Sequence, residues 1–220
     1  MRSTSRFLVV VLLASAAAGS ALADDAGTSD AGTPDAASPP QHPAAQRLQD
    51  ANERVRALLR VDEASPEVGE IINGLLDYEG LASRALGARW GQLTQAQKDD
   101  FLSVFKALVA QKYKKDLKDS LDAYAVEYLG TDESADGQSA FVKTMVKKLH
   151  TRHNRRAEVP VTYEMHRVAG VWMVVDIVMD TVSVVQSNRE QFNEIFGQSD
   201  TFEAGWADLM GRLRRRLESE

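Results

Sequence analysis

The 220 residues contain no cysteine, which excludes a disulfide framework and a lipid anchor carried on a cysteine thiol. A run of about 20 apolar residues, the length that spans a bilayer, is also missing. There is no Gly-rich phosphate-binding loop, so the sequence carries no mark of nucleotide-driven work. No Gly-x-Ser-x-Gly surrounds any serine, and Ser183 in particular has neither that elbow nor evident His and acid partners. Bases are outnumbered, 26 Lys and Arg against 32 Asp and Glu, giving a formal charge of −6 and arguing against nucleic acid as a partner.

What is present begins with Arg2 and Arg6 ahead of an apolar run from Phe7 to Leu13 that continues through small residues to Ala18. Ala21-Leu22-Ala23 then offers a small-x-small cleavage site before Asp24, so residues 1–23 read as a secretory signal peptide. Their removal takes away two arginines and no acid, moving the formal charge from −6 to −8. Residues 24–45 are rich in Asp, Ala, Gly, Ser and Pro and hold no large apolar residue to offset the entropy of ordering; they read as a disordered linker. Residues 46–220 fit one domain. Lacking disulfides, an exported domain must rely on its hydrophobic core.

Leu48, Ala51, Val55, Leu58 and Leu59 recur at helical spacing, and Ser65-Pro66 starts a second helix that buries Val68, Ile71, Ile72, Leu75 and Leu76. Asp77 caps a short helix that Gly87 ends. Thr94-x-x-Gln97 is a capping box for a longer helix carrying Phe101, Phe105, Leu108, Val109 and Leu117. From Tyr124 the period changes to two. Strands follow at Tyr124 to Tyr128, Phe141 to Leu149, Val159 to Met165 and Val171 to Met179, the last pair joined by Ala169-Gly170. Both faces of the fourth strand are apolar, Val171, Met173, Val175 and Ile177 alternating with Trp172, Val174 and Val178; it is covered on both sides or lines something apolar. Ser183-x-x-Gln186 caps a further helix that Gly197 ends, and Phe202, Trp206, Leu209, Met210, Leu213 and Leu217 mark a final one, with Arg212 and Arg214 to Arg216 at its C-terminal end. The expected fold class is α+β, amphipathic helices packed on a twisted antiparallel sheet of four to five strands.

Trp172 and Asp176 on a strand that leads through Ser183 into a helix with Arg189, Gln191 and Phe192 form one motif. Leu86-Gly87-Ala88-Arg89-Trp90, followed by Thr94, Gln97, Phe101, Phe105 and Tyr113, forms another. Together they resemble the MlaC-like proteins, also called toluene-tolerance proteins, which shuttle phospholipid through the periplasm in the Mla lipid-asymmetry pathway. The likeness covers roughly residues 78–213. Two positions depart from it: the family usually has Gly before the hydrophobic-Ser pair and Asn-Tyr before the Arg, where this chain has Thr181 and Ser187-Asn188.

The resemblance implies a cone-like fold with an apolar cavity for acyl chains between sheet and helices, and no catalytic residue, metal or cofactor other than phospholipid as cargo. For the lining we expect Val161, Tyr163, Met173 and Val175 on the sheet and Phe105 and Val109 on the covering helix. Methionines on the sheet suit an adaptable apolar wall. The implied partners are an outer-membrane lipoprotein complex and an inner-membrane ABC transporter complex. Lys147, Lys148, Arg155 and Arg156 concentrate positive charge on one hairpin and are the expected docking residues. His150 and His153, on the same turn, have no third ligand nearby and make a poor metal site. Asp176 and Arg189 are expected to pair, tying the last strand to the next helix, with direct head-group contact as the alternative. A rival from another class is a small-molecule enzyme using Tyr163, Asp176 or His166 as acid or base in the same cavity. A third is a non-catalytic periplasmic adaptor.

Overall fold

The computed structural model describes residues 42–62, 65–117, 124–148 and 158–219, with the side chains of 113–117 and 148 excepted. Residues 1–41, Arg155, Arg156, His150 and His153 lie outside the described residues. Among the described residues six helices flank a sheet: α1 (Pro43–Val61), α2 (Pro66–Leu75), α3 (Tyr78–Leu86), α4 (Gln95–Leu117), then the strands, then α5 (Val184–Gly197) and α6 (Phe202–Ser219). A 3-10 turn, Gly87–Gln92, joins α3 to α4.

Local chemistry sets most boundaries. Helix α1 starts with Pro43 at its first position, and the His42 imidazole accepts from the Ala44 amide. Ala44 is fully buried and His42 meets Trp172 edge-on at 5.4 Å, so ordered structure begins ahead of residue 46. Asp77 caps α3 by accepting from the Gly80 amide, and Thr94 and Gln97 bond reciprocally at the head of α4. Ser65 stands at the N-cap of α2 but makes no capping bond. Gly87 ends α3 at φ +59, a conformation that a Cβ disfavours. Gly197 is the last residue of α5, and Gln198 caps it.

Strands β1 (Tyr124–Glu133), β2 (Ser139–Lys148), β3 (Glu158–Val168), β4 (Val171–Met179) and β5 (Val182–Ser183) pair in sequence order as an antiparallel meander. Each of the last two turns has two residues, Ala169-Gly170 and Asp180-Thr181, with positive φ at both positions. This is the geometry that matches strand twist.

Directly paired residues share a face of the sheet. Val126, Val142, Val146, Val161, Tyr163, Met165, Val174 and Ile177 form the buried inner face, packed on α1 and α2. Thr144, among them, is satisfied by donating to the Val161 carbonyl. On the other face of β1–β3 charged side chains pair across strands, Lys143 with Asp132 at 2.5 Å and Lys147 with Glu127 at 2.7 Å.

The alternation expected for β4 fails at one place. Asp176 pairs with Glu164 but Val174 pairs with Met165, leaving Val175 as an extra, unpaired residue. This bulge shifts the register, so Val174 and Ile177, three residues apart, share the inner face with Trp172 and Met179. Met173, opposite His166, falls on the outer face and away from Val161 and Tyr163. Val175 packs on α3 instead, where a Cβ at Gly80 would lie 3.3 Å from its Cγ1. Cover on both sides of β4 is confined to the stretch around this bulge; Val171 is exposed and Met173 half-buried.

Candidate functional site

Two apolar clusters meet in this fold. One joins α1, α2 and the inner sheet face; the other is built from α3, α4, α5 and α6 around Phe101. The Phe101 ring touches Trp90, Phe105, Phe192 and Trp206, with centroids between 5.9 and 6.5 Å apart, so one aromatic knot ties three helices and the 3-10 turn together. The seam between the clusters is not filled. It holds a cavity of about 200 Å³.

Val174 and Ile177, brought side by side by the bulge, form its floor with Leu76. Helix α3 contributes Leu81 and the small Ala82 and Ala85, whose single methyls leave room. From α4 come Phe101, Phe105, Leu108 and Val109; from α5, Val184, Val185 and Phe192. Phe105, Leu108 and Val109 are only half-buried although they lie on an inward-facing stripe, because they pack on the apolar clusters on one side and border the cavity on the other. The polar lining is Lys112, Asn188, Gln191 and Arg216; Gln191 and Arg216 are exposed, so the polar side is the mouth.

Of the six residues expected to line an acyl cavity, Phe105 and Val109 are in this wall. Val161 and Tyr163 are instead locked in the core beneath the sheet's inner face, Met173 is on the outer face and Val175 contacts α3. The period-two pattern could not reveal a bulge. The apolar stripe of α4 does place Phe105 and Val109 on a helix that lines this cavity.

The motif residues frame the cavity. Asp176 does not pair with Arg189, contrary to expectation. Its buried carboxylate accepts from the amides of Ile177 (2.7 Å) and Val185 (3.1 Å) and from the Ser183 hydroxyl (2.5 Å). Ser183 in turn accepts from the Gln186 amide, as expected of an N-cap. A carboxylate at a helix N-terminus is favoured by the helix dipole and by unsatisfied amides, so α5 provides what an arginine was expected to provide. Arg189 reaches the opposite kind of helix end. Its Nε and Nη2 donate to the Arg84 carbonyl in the last turn of α3, beside Gly87. Trp90, delivered by the 3-10 turn, meets Phe101. Asn188, one of the two departures from the family pattern, is in the cavity wall.

Tyr163, Asp176 and His166 do not converge. Tyr163 is fully buried on the inner face, Asp176 is engaged in capping, and His166 lies on the outer face 3.1 Å from Glu164. Among the described residues no group of three or more His, Asp and Glu could hold a metal, and no helix is long and apolar enough to cross a membrane. Lys147, the one docking candidate with a described side chain, is bonded to Glu127, which raises the lysine pKa.

Helices gathered on a five-stranded antiparallel meander, with an apolar cavity in the seam and a polar mouth, define an α+β protein shaped to enclose a nonpolar body. The MlaC protein family matches residues 45–214, and the chain belongs to that family. Its fold is shared by the structure of a phospholipid-binding protein from Ralstonia solanacearum in complex with a phospholipid, at 18% identity and a TM-score of 0.62, over 80% of this chain and 98% of that one. Curated proteins give no significant match.

Proposed function

We propose that this protein is a periplasmic phospholipid carrier. The observation that carries the reading is the seam cavity, whose walls from β4, α3, α4 and α5 are apolar and whose polar groups stand at the mouth. Family membership and the phospholipid complex of the Ralstonia protein support it. Moving two acyl chains of roughly 30 methylenes through water would cost on the order of 20 kcal/mol at about 0.8 kcal/mol per methylene. A carrier removes that barrier by covering the tails and leaving the charged head in water, because an unpartnered buried phosphate would cost more than its burial gains. The cavity's 200 Å³ is below the range of roughly 300–1,000 Å³ for a drug-sized ligand. Loading therefore displaces the half-buried Phe105, Leu108 and Val109 or parts their helices.

In the same reading residues 1–23 direct export and are removed after Ala23, and cargo passes between an outer-membrane lipoprotein complex and an inner-membrane ABC transporter complex, maintaining outer-membrane lipid asymmetry. The segment of Lys147, Lys148, Arg155 and Arg156 is its docking surface for acidic partners. Mass spectrometry of organic extracts tests the central claim: the protein purified without added lipid should carry roughly one diacyl phospholipid. Extracts with no more phospholipid than a soluble control would refute it.

A further inference from the structure

Apolar walls account for lipid tails, but a diacyl lipid also carries ester carbonyls where its tails meet its head. Helix α5 crosses that boundary. Val184, Asn188 and Gln191 recur at i, i+4 and i+7, on one face, and all three line the cavity. Val184 packs against the sheet-side cluster, Asn188 is half-buried and Gln191 is exposed, so the lining turns from apolar to wet within two turns and Asn188 stands at the change. Along the helix it is about 6 Å from Val184 and about 4.5 Å from Gln191. Elsewhere on the helices Gln49, Gln95 and Gln186 each donate to a carboxylate four residues ahead. Asn188 has no such neighbour, because the positions one turn away hold Val184, Val185, Gln191 and Phe192. Among the described residues its carboxamide has no hydrogen-bond partner, whereas Lys112 and Arg216 of the same lining are engaged.

We propose that the Asn188 carboxamide donates to an acyl-ester carbonyl of the bound lipid and so selects ester-linked over ether-linked chains. The inference rests on the carrier reading and deepens it. An ester carbonyl only accepts and a carboxamide carries two N–H donors, so the two are complementary. In the unloaded protein water can serve the amide. Once acyl chains displace that water, the amide either meets an acceptor on the cargo or is left unpaired against an apolar wall, and the second outcome is the costlier. An ether-linked chain brings no carbonyl to that level. Asn188 is also a position at which this chain departs from the usual pattern of its family, so the preference belongs to this chain. One neutral hydrogen bond corresponds to a preference of about fivefold.

The test incubates the full-length protein with fluid vesicles of equal parts of two phosphatidylcholines, one with two oleoyl chains in ester linkage and one with two oleyl chains in ether linkage. The protein is reisolated and the bound ratio measured by mass spectrometry. The wild type should favour the ester lipid about fivefold more than Asn188→Leu and Asn188→Ala do, which normalises any difference in how readily the two lipids leave the vesicle. Gln186→Leu removes an amide of the same helix from outside the lining and should keep the wild-type ratio. Both lipids have the same head group, so the ratio should be the same at low and at ~1 M salt. A wild-type ratio equal to that of the two Asn188 variants, a Gln186→Leu protein that loses the preference as they do, or a ratio that collapses in salt overturns the ester contact alone. Absence of either lipid from the wild type and all variants overturns the carrier reading and this inference with it.

Discussion

Val109→Glu puts a carboxyl into the cavity wall at a site where the fold should tolerate it. Val109 is half-buried on α4, so the substitution forfeits about 1 kcal/mol of apolar burial and leaves the core clusters intact. With an acyl chain alongside, the carboxyl must be neutral, and holding a glutamate of ordinary pKa, about 4.3, protonated at pH 7 costs about 4 kcal/mol. This penalty corresponds to nearly three orders of magnitude in lipid affinity. Because only the neutral form accepts the chain, the sign with pH is fixed: affinity should recover by about tenfold per unit as pH falls from 7 toward 5. Thr162→Glu, on the outer face opposite Lys143, should bind as the wild type, whereas Val161→Glu strikes the closed core and should unfold the domain. The assay is transfer of a fluorescent phospholipid from vesicles to protein, with circular dichroism to verify folding. A folded Val109→Glu protein that takes up lipid at pH 7 as the wild type does would show that this wall is not where acyl chains lie.

Three further expectations concern stability. Thr181 occupies the second turn position at φ +83, where the neighbouring hairpin has Gly170 at the same angle; relieving a β-branched residue there, Thr181→Gly should raise stability by about 1 kcal/mol, read as a higher midpoint in urea. Gly205→Ala should destabilise by about 1–3 kcal/mol despite the better helix propensity of alanine, since the added Cβ would sit 2.5 Å from the Phe196 ring; an unchanged midpoint would mean that α5 and α6 are not held this close. Burial pushes the Tyr78 phenol from its ordinary value near 10 up to about 12, so its contribution is complete below pH 10 and is lost as pH rises through 12. Alkaline unfolding curves should therefore show a loss of about 2 kcal/mol over that window which Tyr78→Phe lacks.

Much of the frame is written locally. Asp77, the Thr94 and Gln97 pair and Ser183 mark helix starts because each can bond an amide three residues ahead, and such bonds need no distant partner. Ala169-Gly170 marks a hairpin for the same reason, its backbone preference being its own. The apolar stripe of α4 disclosed Phe105 and Val109 as an inward face, though not that the face borders on space. Three features needed the folded chain. The bulge at Val175 depends on what covers β4, namely Gly80 of α3 and the N-terminus of α5, which a period-two reading of one strand cannot contain. Asp176 and Arg189 looked like a pair because both are charged and border strongly apolar stretches; the fold gives each a helix end of opposite polarity, and the carboxylate and guanidinium serve those ends separately. The cavity arises where side chains from five elements fail to fill one seam, so its volume is decided by packing at long range and by no segment of the sequence alone.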